Sequence, residues 1–514
     1  MPSRRKFLMI LIDQFRADCL NGALADHIDL PHIRALAGDG VQFNSHFSVT
    51  NPCGPSRASI LTGQYAMNHR SVRNGTPLAD DTPNIAREMR KAGYEPLLYG
   101  YTDTSRDPRG KAADDPVLRT YEEVLPGFTE IVEMRIEYGS FPWQADLKAK
   151  GYDLPDYHAF YVPKSPDPTR APRADDPAFY KAEDSDTAFL TNAFLSDMAG
   201  RVDQSWFALL TYIRPHPPLV APAPYNKMYQ GRNLPLPHRH SDPMAEQASH
   251  PFLTTKKNRP PMESFVDGCD GEISSARDQD VQMLRAIYLG LATEVDTHIG
   301  RVIQFLKDSG QYDDTVILLA ADHGEMLGDH HFWGKTHIYD PAFRVPLIIR
   351  DPLNHAANGV VVSELTESID LAPTILDLAN HPTPNAMNGR SLVPFLGGDT
   401  PANWRDCVHL ELDFGEPDTP TAMQTLLGLE LHDCNLAILR EEQFKLVHFG
   451  GGLAPLLFDL HADPYEMQDL AQDPAHAASM LRLTQKLLSH RMRNANHTLS
   501  DLKITDAGVF GRVP

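Results

Sequence analysis

Cysteine is scarce in this chain, with only five among 514 residues. Their number is odd and they are widely scattered, so we do not expect a disulfide framework. Unpaired cysteines at this density are typical of a reducing compartment, and we therefore expect a cytoplasmic protein. The five are Cys19, Cys53, Cys269, Cys407 and Cys434.

Long hydrophobic runs are also missing. No stretch approaches the roughly 20 apolar residues that a helix needs to cross a bilayer. Near the start of the chain, Arg4 and Arg5 precede the apolar residues 7–12, an arrangement that resembles a twin-arginine export signal. That stretch is shorter than the apolar core of a signal, roughly 7 to 15 residues, and it ends at Asp13. We therefore expect a first β-strand here, and no membrane partner.

A surplus of positive charge is absent as well, because the formal net charge is −21. Proteins that bind nucleic acid normally present a basic face to the phosphate backbone, so we expect no nucleic-acid partner. A small anion can still bind wherever a local cluster of cations surrounds it.

Short apolar runs alternate with helical patterns along the first three quarters of the chain. This alternation is typical of an α/β fold with a mainly parallel central sheet and helices on both faces. The predicted strands are residues 7–12, 96–100, 206–213 and 315–321, and the predicted helices are residues 84–92, 187–198 and 278–306.

Two segments interrupt the alternation, residues 103–184 and 214–277, and both are rich in proline and charged residues. Connections of this length are usually functional loops or lids, with a disordered insertion as the alternative. After residue 400 the pattern changes to short strand-like runs followed by a helix and a tail. We therefore predict a catalytic domain at residues 1–400 and a C-terminal subdomain at 401–514 with a small antiparallel sheet. Its predicted strands are residues 408–412, 436–439 and 444–448, and its helix is 475–494.

Four side chains that can take part in catalysis or metal binding follow the ends of predicted strands. Asp13, Tyr101 and Asp322 come directly after a strand, and His216 comes shortly after one. Ligands of open α/β sheets bind beyond the carboxyl ends of the strands, so these residues can meet in space. An aspartate often begins a turn after a strand, but four such placements together favour a site.

Two of these strand ends carry pairs of metal-ligand types. Asp13-Gln14 and Asp322-His323 offer two carboxylates, an amide oxygen and an imidazole. This set suits Ca²⁺, Mg²⁺ or Mn²⁺ better than a structural zinc. The alternative for Asp322 is a capping residue in a turn that ends a strand.

Cys53 stands in the frame Cys53-Gly54-Pro55-Ser56-Arg57, and Gly63 follows in the same segment. A lone cysteine at the start of a helix is usually a small buried residue. This frame, however, resembles the pattern that the formylglycine-generating enzyme recognises in sulfatases when it oxidises a cysteine to formylglycine. The resemblance implies that the acting residue is formylglycine derived from Cys53, and that this maturation enzyme is a partner.

Further motifs extend the resemblance to formylglycine-dependent sulfatases of the alkaline phosphatase superfamily along nearly the whole chain. Within that family the chain looks most like the branch of phosphonate monoester hydrolases and phosphodiesterases. The motifs are Asp13-Gln14, residues 53–63, Asn68-His69-Arg70 with Asn74, Gly100-Tyr101-Thr102, Arg214-Pro215-His216-Pro217-Pro218, Asp322-His323-Gly324-Glu325, Gly334-Lys335 and Leu457-Phe458-Asp459-Leu460.

The resemblance implies a role for each site residue. Hydrated formylglycine would be the nucleophile, and Arg57 would hydrogen-bond it or a metal ligand. His216 would protonate the leaving oxygen or donate a hydrogen bond to it. Lys335, Asn74 and Tyr101 would hold the nonbridging oxygens of the substrate. The implied catalytic residues are Cys53, Arg57, His216 and Lys335, the substrate contacts are Asn74, Tyr101 and His337, and the ligands of one divalent ion are Asp13, Gln14, Cys53, Asp322 and His323.

Several of these residues have ordinary alternatives. Lys335 could be a solvated lysine, His216 a loop histidine between prolines, Tyr101 an aromatic at the core edge and Asn74 a turn residue before a glycine. The sequence pattern alone leaves these alternatives open.

Two departures from common sulfatases bear on the substrate. Gln14 replaces a second aspartate, and residues 100–104 replace a block that normally carries a lysine and a histidine. The resulting wall of hydroxyls would accommodate the second substituent of a phosphonate monoester or phosphodiester. His337, by contrast, keeps an arylsulfatase interpretation open.

We therefore expect a hydrolase of singly charged tetrahedral esters that prefers phosphonate monoesters and phosphodiesters and has promiscuous sulfatase activity. The alternatives are an arylsulfatase with the reverse preference, a non-catalytic protein that binds an anion, and a phosphatase or phosphomutase. The intact Cys53, Asp13 and Asp322 argue against a non-catalytic protein, and the Cys53 frame argues against the Ser- or Thr-dependent phosphatases. The resemblance also favours a homo-oligomer, either a dimer or a tetramer.

Overall fold

The structure, a computed structural model, describes residues 5–511 except 138, 257–264, 267, 270–272 and 275–276. Arg4, which belongs to the segment that resembles an export signal, lies outside these residues. Part of the predicted loop 214–277 also lies outside them. Sixteen strands occur in the described part of the chain. They are β1 (Lys6–Ile12), β2 (Val41–Phe43), β3 (His46–Phe47), β4 (Glu95–Gly100), β5 (Thr129–Glu133), β6 (Trp206–Tyr212), β7 (Thr315–Ala321), β8 (Leu347–Arg350), β9 (Val361–Val362), β10 (Thr366–Glu367), β11 (Cys407–Asp413), β12 (Asn435–Glu441), β13 (Phe444–Phe449), β14 (Leu456–Asp459), β15 (Leu502–Thr505) and β16 (Gly508–Gly511).

The same residues form fifteen α-helices, which range from single turns to one of 31 residues. They are α1 (Asp18–Asn21), α2 (Pro31–Gly38), α3 (Cys53–Thr62), α4 (Ala66–His69), α5 (Ile85–Lys91), α6 (Phe141–Ala149), α7 (Asp186–Met198), α8 (Pro243–Gln247), α9 (Pro251–Lys256), α10 (Asp278–Asp308), α11 (Asp340–Phe343), α12 (Leu371–Leu378), α13 (Val393–Leu396), α14 (Ala422–Leu427) and α15 (Ala477–Arg493).

An eight-stranded sheet forms the centre, in the order β5-β4-β6-β1-β7-β8-β2-β9. The five strands from β5 to β7 are parallel, whereas β8 runs antiparallel to both of its neighbours. The predicted α/β class with a mainly parallel sheet is confirmed. The four predicted strands of this sheet are β1, β4, β6 and β7, which lie next to one another.

Helices cover both faces of the sheet because the central strands are apolar on both sides. In β1, Leu8 and Ile10 pack with α2, α7 and α10 on one face, and Phe7 and Met9 pack with α3, α5 and α12 on the other. Every residue of β1, β6 and β7 is buried. Burial on both faces explains why these strands appear in the sequence as continuous apolar runs.

The segments predicted as long loops contain short elements of their own. Residues 103–184 include β5 and α6, and the described part of 214–277 includes α8 and α9. Because β5 joins the edge of the central sheet, the first segment is partly a structural extension of the core.

The predicted C-terminal antiparallel sheet is present and consists of β11-β12-β13-β14. Leu483 and Leu487 of α15 pack on one face of this sheet, and the other face packs on Phe47 and Phe343 of the larger domain. A separate hairpin, β15–β16, follows α15. The apolar contact between the two parts is continuous, so the boundary at residue 400 stays a prediction.

Candidate active site

The four predicted strand ends lie side by side, because β4, β6, β1 and β7 are consecutive in the sheet. Asp13 follows β1 and Asp322 follows β7, and one ligand atom from each of Asp13, Cys53, Asp322 and His323 lies within 4.8 Å of the others. All four residues are buried. The carboxyl edge of the sheet therefore gathers a compact group of acidic, imidazole and thiol side chains.

Cys53 reaches this group from the first position of α3. Its Sγ lies 3.2 Å from Nε2 of His323, 3.9 Å from Oδ1 of Asp13 and 3.1 Å from Nζ of Lys335. Burial and the neighbouring Asp13 raise the pKa of the Cys53 thiol well above its ordinary value. A thiol with a raised pKa is a poor nucleophile, so unmodified Cys53 is not activated for attack in this arrangement.

Arg57 holds the two carboxylates of the group together. It lies one helical turn after Cys53 and is fully buried, and its Nε donates to Asp322 Oδ2 at 2.9 Å. Its Nη2 donates to Asp13 Oδ2 at 3.3 Å and to the hydroxyl of Tyr101 at 2.8 Å. One guanidinium thus fixes the carboxylates that follow two neighbouring strands.

The donor set fits a hard divalent cation. Burial and the nearby Asp13 carboxylate raise the pKa of Asp322 to about 6, whereas the positive groups around Asp13 outweigh its burial and lower its pKa. The Nδ1 of His323 lies 3.1 Å from the carbonyl of Gly324, and a proton on Nδ1 leaves the lone pair of Nε2 facing the carboxylates. Asp13, Asp322, His323 and the residue at position 53 are therefore the side chains that could hold the ion.

Gln14 is the fifth predicted ligand, and its amide is oriented by a residue whose role the sequence did not reveal. The amide Nε2 donates to Glu325, and Glu325 Oε1 accepts the backbone N–H groups of Leu327 at 2.8 Å and Gly334 at 2.7 Å. The Oε1 of Gln14 then accepts from Lys335 at 2.8 Å. Gln14 itself adopts a left-handed backbone conformation (φ 61°), and its N–H donates to Asp322 Oδ1 at 3.1 Å.

Lys335 lies between the candidate metal ligands and His216 and contacts both. Its ammonium donates to Cys53 Sγ and Gln14 Oε1, and also to Nε2 of His216 at 2.8 Å. Burial and the neighbouring ammonium lower the pKa of His216 to about 3, so the ring is neutral near pH 7. Its Nδ1 lies 2.5 Å from the carbonyl of Pro217, which places the ring proton on Nδ1 and leaves Nε2 as an acceptor.

Arg214 fixes the loop that carries His216. It is fully buried, its Nη1 donates to the carbonyls of His216 at 3.0 Å and Pro218 at 2.9 Å, and its Nε donates to Asp186 at 3.1 Å. The motif 214–218 drew attention to this arginine in the sequence, but only the fold shows which groups it holds.

The three predicted substrate contacts have different surroundings. The Oδ1 of Asn74 accepts the N–H of Gly54, next to Cys53, at 2.9 Å. The hydroxyl of Tyr101 donates to Asp13 at 2.5 Å, which makes Tyr101 a support of a carboxylate in this arrangement. The ring of His337 packs against Phe332 and Tyr339. Direct contact of these three residues with substrate stays a prediction.

The predicted wall of hydroxyls is occupied by internal hydrogen bonds. Thr102 Oγ1 donates to the carbonyl of Glu123 at 3.1 Å and accepts the N–H of Leu125 at 2.9 Å, and Thr104 Oγ1 lies 3.1 Å from it. The sequence did not single out Asp103, which is buried between these threonines and lies 3.9 Å from Arg57. Burial raises the pKa of Asp103 to about 8.

Comparisons with known proteins agree with the motifs. A family model described as Sulfatase matches residues 5–381, and one described as N-sulphoglucosamine sulphohydrolase, C-terminal, matches residues 328–493. The chain is 38% identical over 520 residues to the multifunctional alkaline phosphatase superfamily protein PehA of Trinickia caryophylli, with 99% of each chain covered.

Two solved structures are similar over essentially their whole length. One is the phosphonate monoester hydrolase SpPMH from Silicibacter pomeroyi, with 58% identity, a TM-score of 0.95 and 99% of each chain covered. The other is the phosphonate monoester hydrolase of Agrobacterium radiobacter, with 39% identity and a TM-score of 0.93 over 99% of this chain and 100% of that one. The chain therefore belongs to the sulfatase family of the alkaline phosphatase superfamily, in the branch of the phosphonate monoester hydrolases.

Proposed function

We propose that the protein is a metal- and formylglycine-dependent hydrolase that prefers phosphonate monoesters and phosphodiesters and also cleaves aryl sulfates. The observation that carries the proposal is the position of Cys53: its Sγ lies within 3.2 Å of both Lys335 Nζ and His323 Nε2, inside the group of candidate metal ligands. The similarity to two phosphonate monoester hydrolases supports the substrate preference.

Formylglycine at position 53 would supply, in its hydrated form, one hydroxyl that attacks the ester and a second whose deprotonation releases the product by cleavage of a carbon–oxygen bond. A divalent cation held by Asp13, Gln14, Asp322 and His323 would favour the ionised hydroxyl and offset the charge of the transferred group. The ion is Ca²⁺, Mg²⁺ or Mn²⁺, because the ligands are mainly oxygen atoms.

Lys335 has the central role among the chain's own residues. Its ammonium already points at position 53, and a substrate bound there would receive its N–H donors on a nonbridging oxygen. Such donors stabilise the charge that develops in the transition state. The Nε2 of the neutral His216 accepts a hydrogen bond from this ammonium and so keeps Lys335 oriented toward the reacting atoms.

Arg57 acts on the metal ligands. It neutralises and aligns the carboxylates of Asp13 and Asp322, so that the site does not reorganise when charge develops. Asn74 keeps the N-terminus of α3 in place through the N–H of Gly54.

A cavity of about 350 Å³ provides room for the larger substituents of the ester. Gly75, Ser105 and Tyr121 line it, and Gly75 follows directly after Asn74. We infer that a substituent of a phosphonate monoester or phosphodiester extends from Cys53 into this cavity.

The substrate preference is tested by comparing kcat/KM for an aryl phenylphosphonate and an aryl sulfate on one preparation. We expect the phosphonate to be preferred. A preference for the sulfate of about tenfold, which is roughly 1.4 kcal/mol of transition-state binding, would instead make the protein an arylsulfatase.

Maturation is tested by the mass of the peptide that contains Cys53. Conversion to formylglycine lowers the mass of the cysteine residue by about 18 Da, because a thiol is replaced by an aldehyde. We propose that the formylglycine-generating enzyme carries out this step in the cytoplasm. A cysteine of unchanged mass in an active preparation would contradict the proposal.

We also propose that the protein is a homo-oligomer. The hairpin β15–β16 and the helix before it expose apolar side chains, including Ile504 at 83% and Met492 at 67%. Exposed apolar clusters of this kind usually mark an interface, and light scattering would distinguish a monomer from a dimer or tetramer.

Among the described helices, none has the length and apolar character that crossing a membrane requires.

A further inference from the structure

A cavity with a cationic lining lies in the C-terminal part of the chain, and none of its lining residues belongs to the candidate active site. Its volume is about 360 Å³, and we call it the arginine cavity. It is formed by the second half of α15 and two loops around residues 388–390 and 403–407. Its charged lining consists of Arg390, Arg405, Lys486 and Arg493 with the single acid Asp406.

Two of the four cations already have carboxylate partners. Arg405 pairs with Asp370 and Glu367, the latter at 3.4 Å. Lys486 lies 2.7 Å from Asp406 and 2.6 Å from Glu441. These pairs leave little positive charge on their side of the cavity.

Arg390 and Arg493 are different. Within the described part of the chain, no carboxylate lies within 4.0 Å of either guanidinium. The Nη1 of Arg390 donates to the carbonyl of Asn403, at 3.2 Å, which is an uncharged acceptor, and the guanidinium carbon lies over the Trp404 ring, 5.8 Å from the ring centre. Both arginines therefore bring positive charge to the cavity, and no carboxylate of the described residues pairs with it. This local excess contrasts with the net charge of −21 for the whole chain.

His490 reports this positive potential. Burial and the guanidinium groups of Arg405, Arg493 and Arg390 together lower its pKa to about 4. The Nε2 of His490 is buried without a hydrogen-bond partner, and the residue lines the cavity.

The last carbonyls of α15 already accept hydrogen bonds from the chain, which lessens the negative partial charge that they present to the cavity. The carbonyl of His490 accepts from Asn494 at 3.0 Å, and that of Arg493 lies 3.0 Å from Nε2 of His497. The carbonyl of Asn494 accepts from Asn68 at 2.6 Å.

A second arginine-containing cavity, of about 370 Å³, makes a useful comparison. Two of its three arginines face carboxylates: Arg16 pairs with Asp18 and Asp329, and Arg440 pairs with Asp340. The third, Arg344, donates to the carbonyl of Asn44. Acids outnumber arginines in that lining, whereas the arginine cavity has one acid among four cations.

We propose that the arginine cavity binds a small tetrahedral oxyanion, such as phosphate, sulfate or a phosphonate, through Arg390 and Arg493. Planar guanidinium groups match the oxygen atoms of such anions. The site is separate from the hydrolytic centre, and its existence does not depend on which ester that centre cleaves.

Isothermal titration calorimetry of the holoenzyme with inorganic phosphate, sulfate and methylphosphonate at low ionic strength tests the site. The test variant is Arg390→Gln with Arg493→Gln, and the matched control is Arg232→Gln, an arginine of comparable exposure (46%) outside the cavity. We expect wild type and control to bind one anion more than the double variant, or to bind that anion at least about tenfold more tightly, because hydrogen bonds to charged groups are lost.

The kcat/KM of the double variant should equal that of wild type, since both arginines are exposed and line a cavity that contains no residue of the candidate active site. Each single variant should show an intermediate affinity, which provides a second measurement if the double variant does not fold. Unchanged stoichiometry and affinity for all three anions in correctly folded variants would overturn the proposal.

Discussion

The ammonium of Lys335 donates a hydrogen bond of 2.8 Å to Nε2 of His216, and the same ammonium lies 3.1 Å from Cys53 Sγ. The pair places a cation and a neutral imidazole on the substrate side of the candidate metal ligands. Because Nε2 of His216 accepts this bond, the proton between the two residues lies on Lys335. We therefore expect Lys335 to be the immediate donor to a bound substrate, with His216 acting on substrate through it or after taking up a proton.

Replacing Lys335 by methionine should lower kcat/KM by about 10²- to 10³-fold, the usual cost of removing one donor from a transition-state site. The same change should raise the pKa of His216 from about 3, because burial would remain but the neighbouring ammonium would be gone. Steady-state kinetics and imidazole NMR measure the two effects. Lys181→Met, at an exposed lysine (72%), is the control, and an unshifted His216 would contradict the pairing.

Cys53→Ala should abolish turnover while the protein stays folded, because the residue is small and the change removes only one buried atom. A loss of at least about 10³-fold is expected when the nucleophile is removed. Cys53→Ser is the informative partner variant. Its single hydroxyl lacks the second hydroxyl needed for release, so we expect at most one turnover per site, seen as a burst of leaving group. Sustained activity in Cys53→Ala would mean that another residue is the nucleophile.

The strand ends were predictable from the sequence, whereas the residue that orients Gln14 was not. Asp13, Tyr101, His216 and Asp322 follow continuous apolar runs, and the order of the strands then brings them together. The function of Glu325 depends on a hydrogen bond to Gln14, 311 residues away, which no local pattern reveals. For the same reason, Thr102 looks like a free hydroxyl in the sequence but is bonded to the backbone in the fold.

Glu325→Gln should weaken metal binding by about 10- to 100-fold without removing a ligand, since residues that orient metal ligands usually contribute this much. The substituted amide cannot accept both the amide of Gln14 and two backbone N–H groups as a carboxylate does. Removing the metal with a chelator and restoring activity with Ca²⁺, Mg²⁺ or Mn²⁺ gives the half-saturating concentration. Glu442→Gln, at a carboxylate that is 92% exposed, should leave that concentration unchanged. Full activity after verified removal of metal would argue against any metal role.

Arg214 is a positioning residue, because it touches the backbone of His216 and Pro218 and not the reacting atoms. Arg214→Lys keeps a positive charge beside Asp186 but loses the guanidinium Nη1 that donates to both carbonyls. We expect kcat to fall about tenfold or more with little change in KM, as displacement of a catalytic group typically causes. Arg214→Gln should in addition destabilise the fold by about 3 kcal/mol or more, because Asp186 would remain buried without its partner. Equal kcat values for wild type and Arg214→Lys would show that Arg214 serves stability alone.

Glu294 makes the stability of the protein depend on pH near neutrality. It is fully buried in α10, and burial, with a contribution from Asp186, raises its pKa to about 8. In the unfolded chain the carboxyl would ionise near its ordinary value of about 4.3. Between these values the folded protein holds a proton that the unfolded chain has released, so the free energy of unfolding falls as pH rises, by up to about 1.4 kcal/mol per pH unit.

The neutral variant Glu294→Gln lacks this titration and resembles the protonated side chain in shape. Its free energy of unfolding should therefore exceed that of wild type by a margin that grows from pH 5 to pH 8 and levels off above the folded pKa. Denaturant unfolding of both proteins at several pH values measures the margin, and the subtraction removes groups that titrate identically in both. A margin that is constant with pH would mean that Glu294 is ionised in the folded protein and that its charge is stabilised by Arg214, whose pKa is raised by the acidic groups around it.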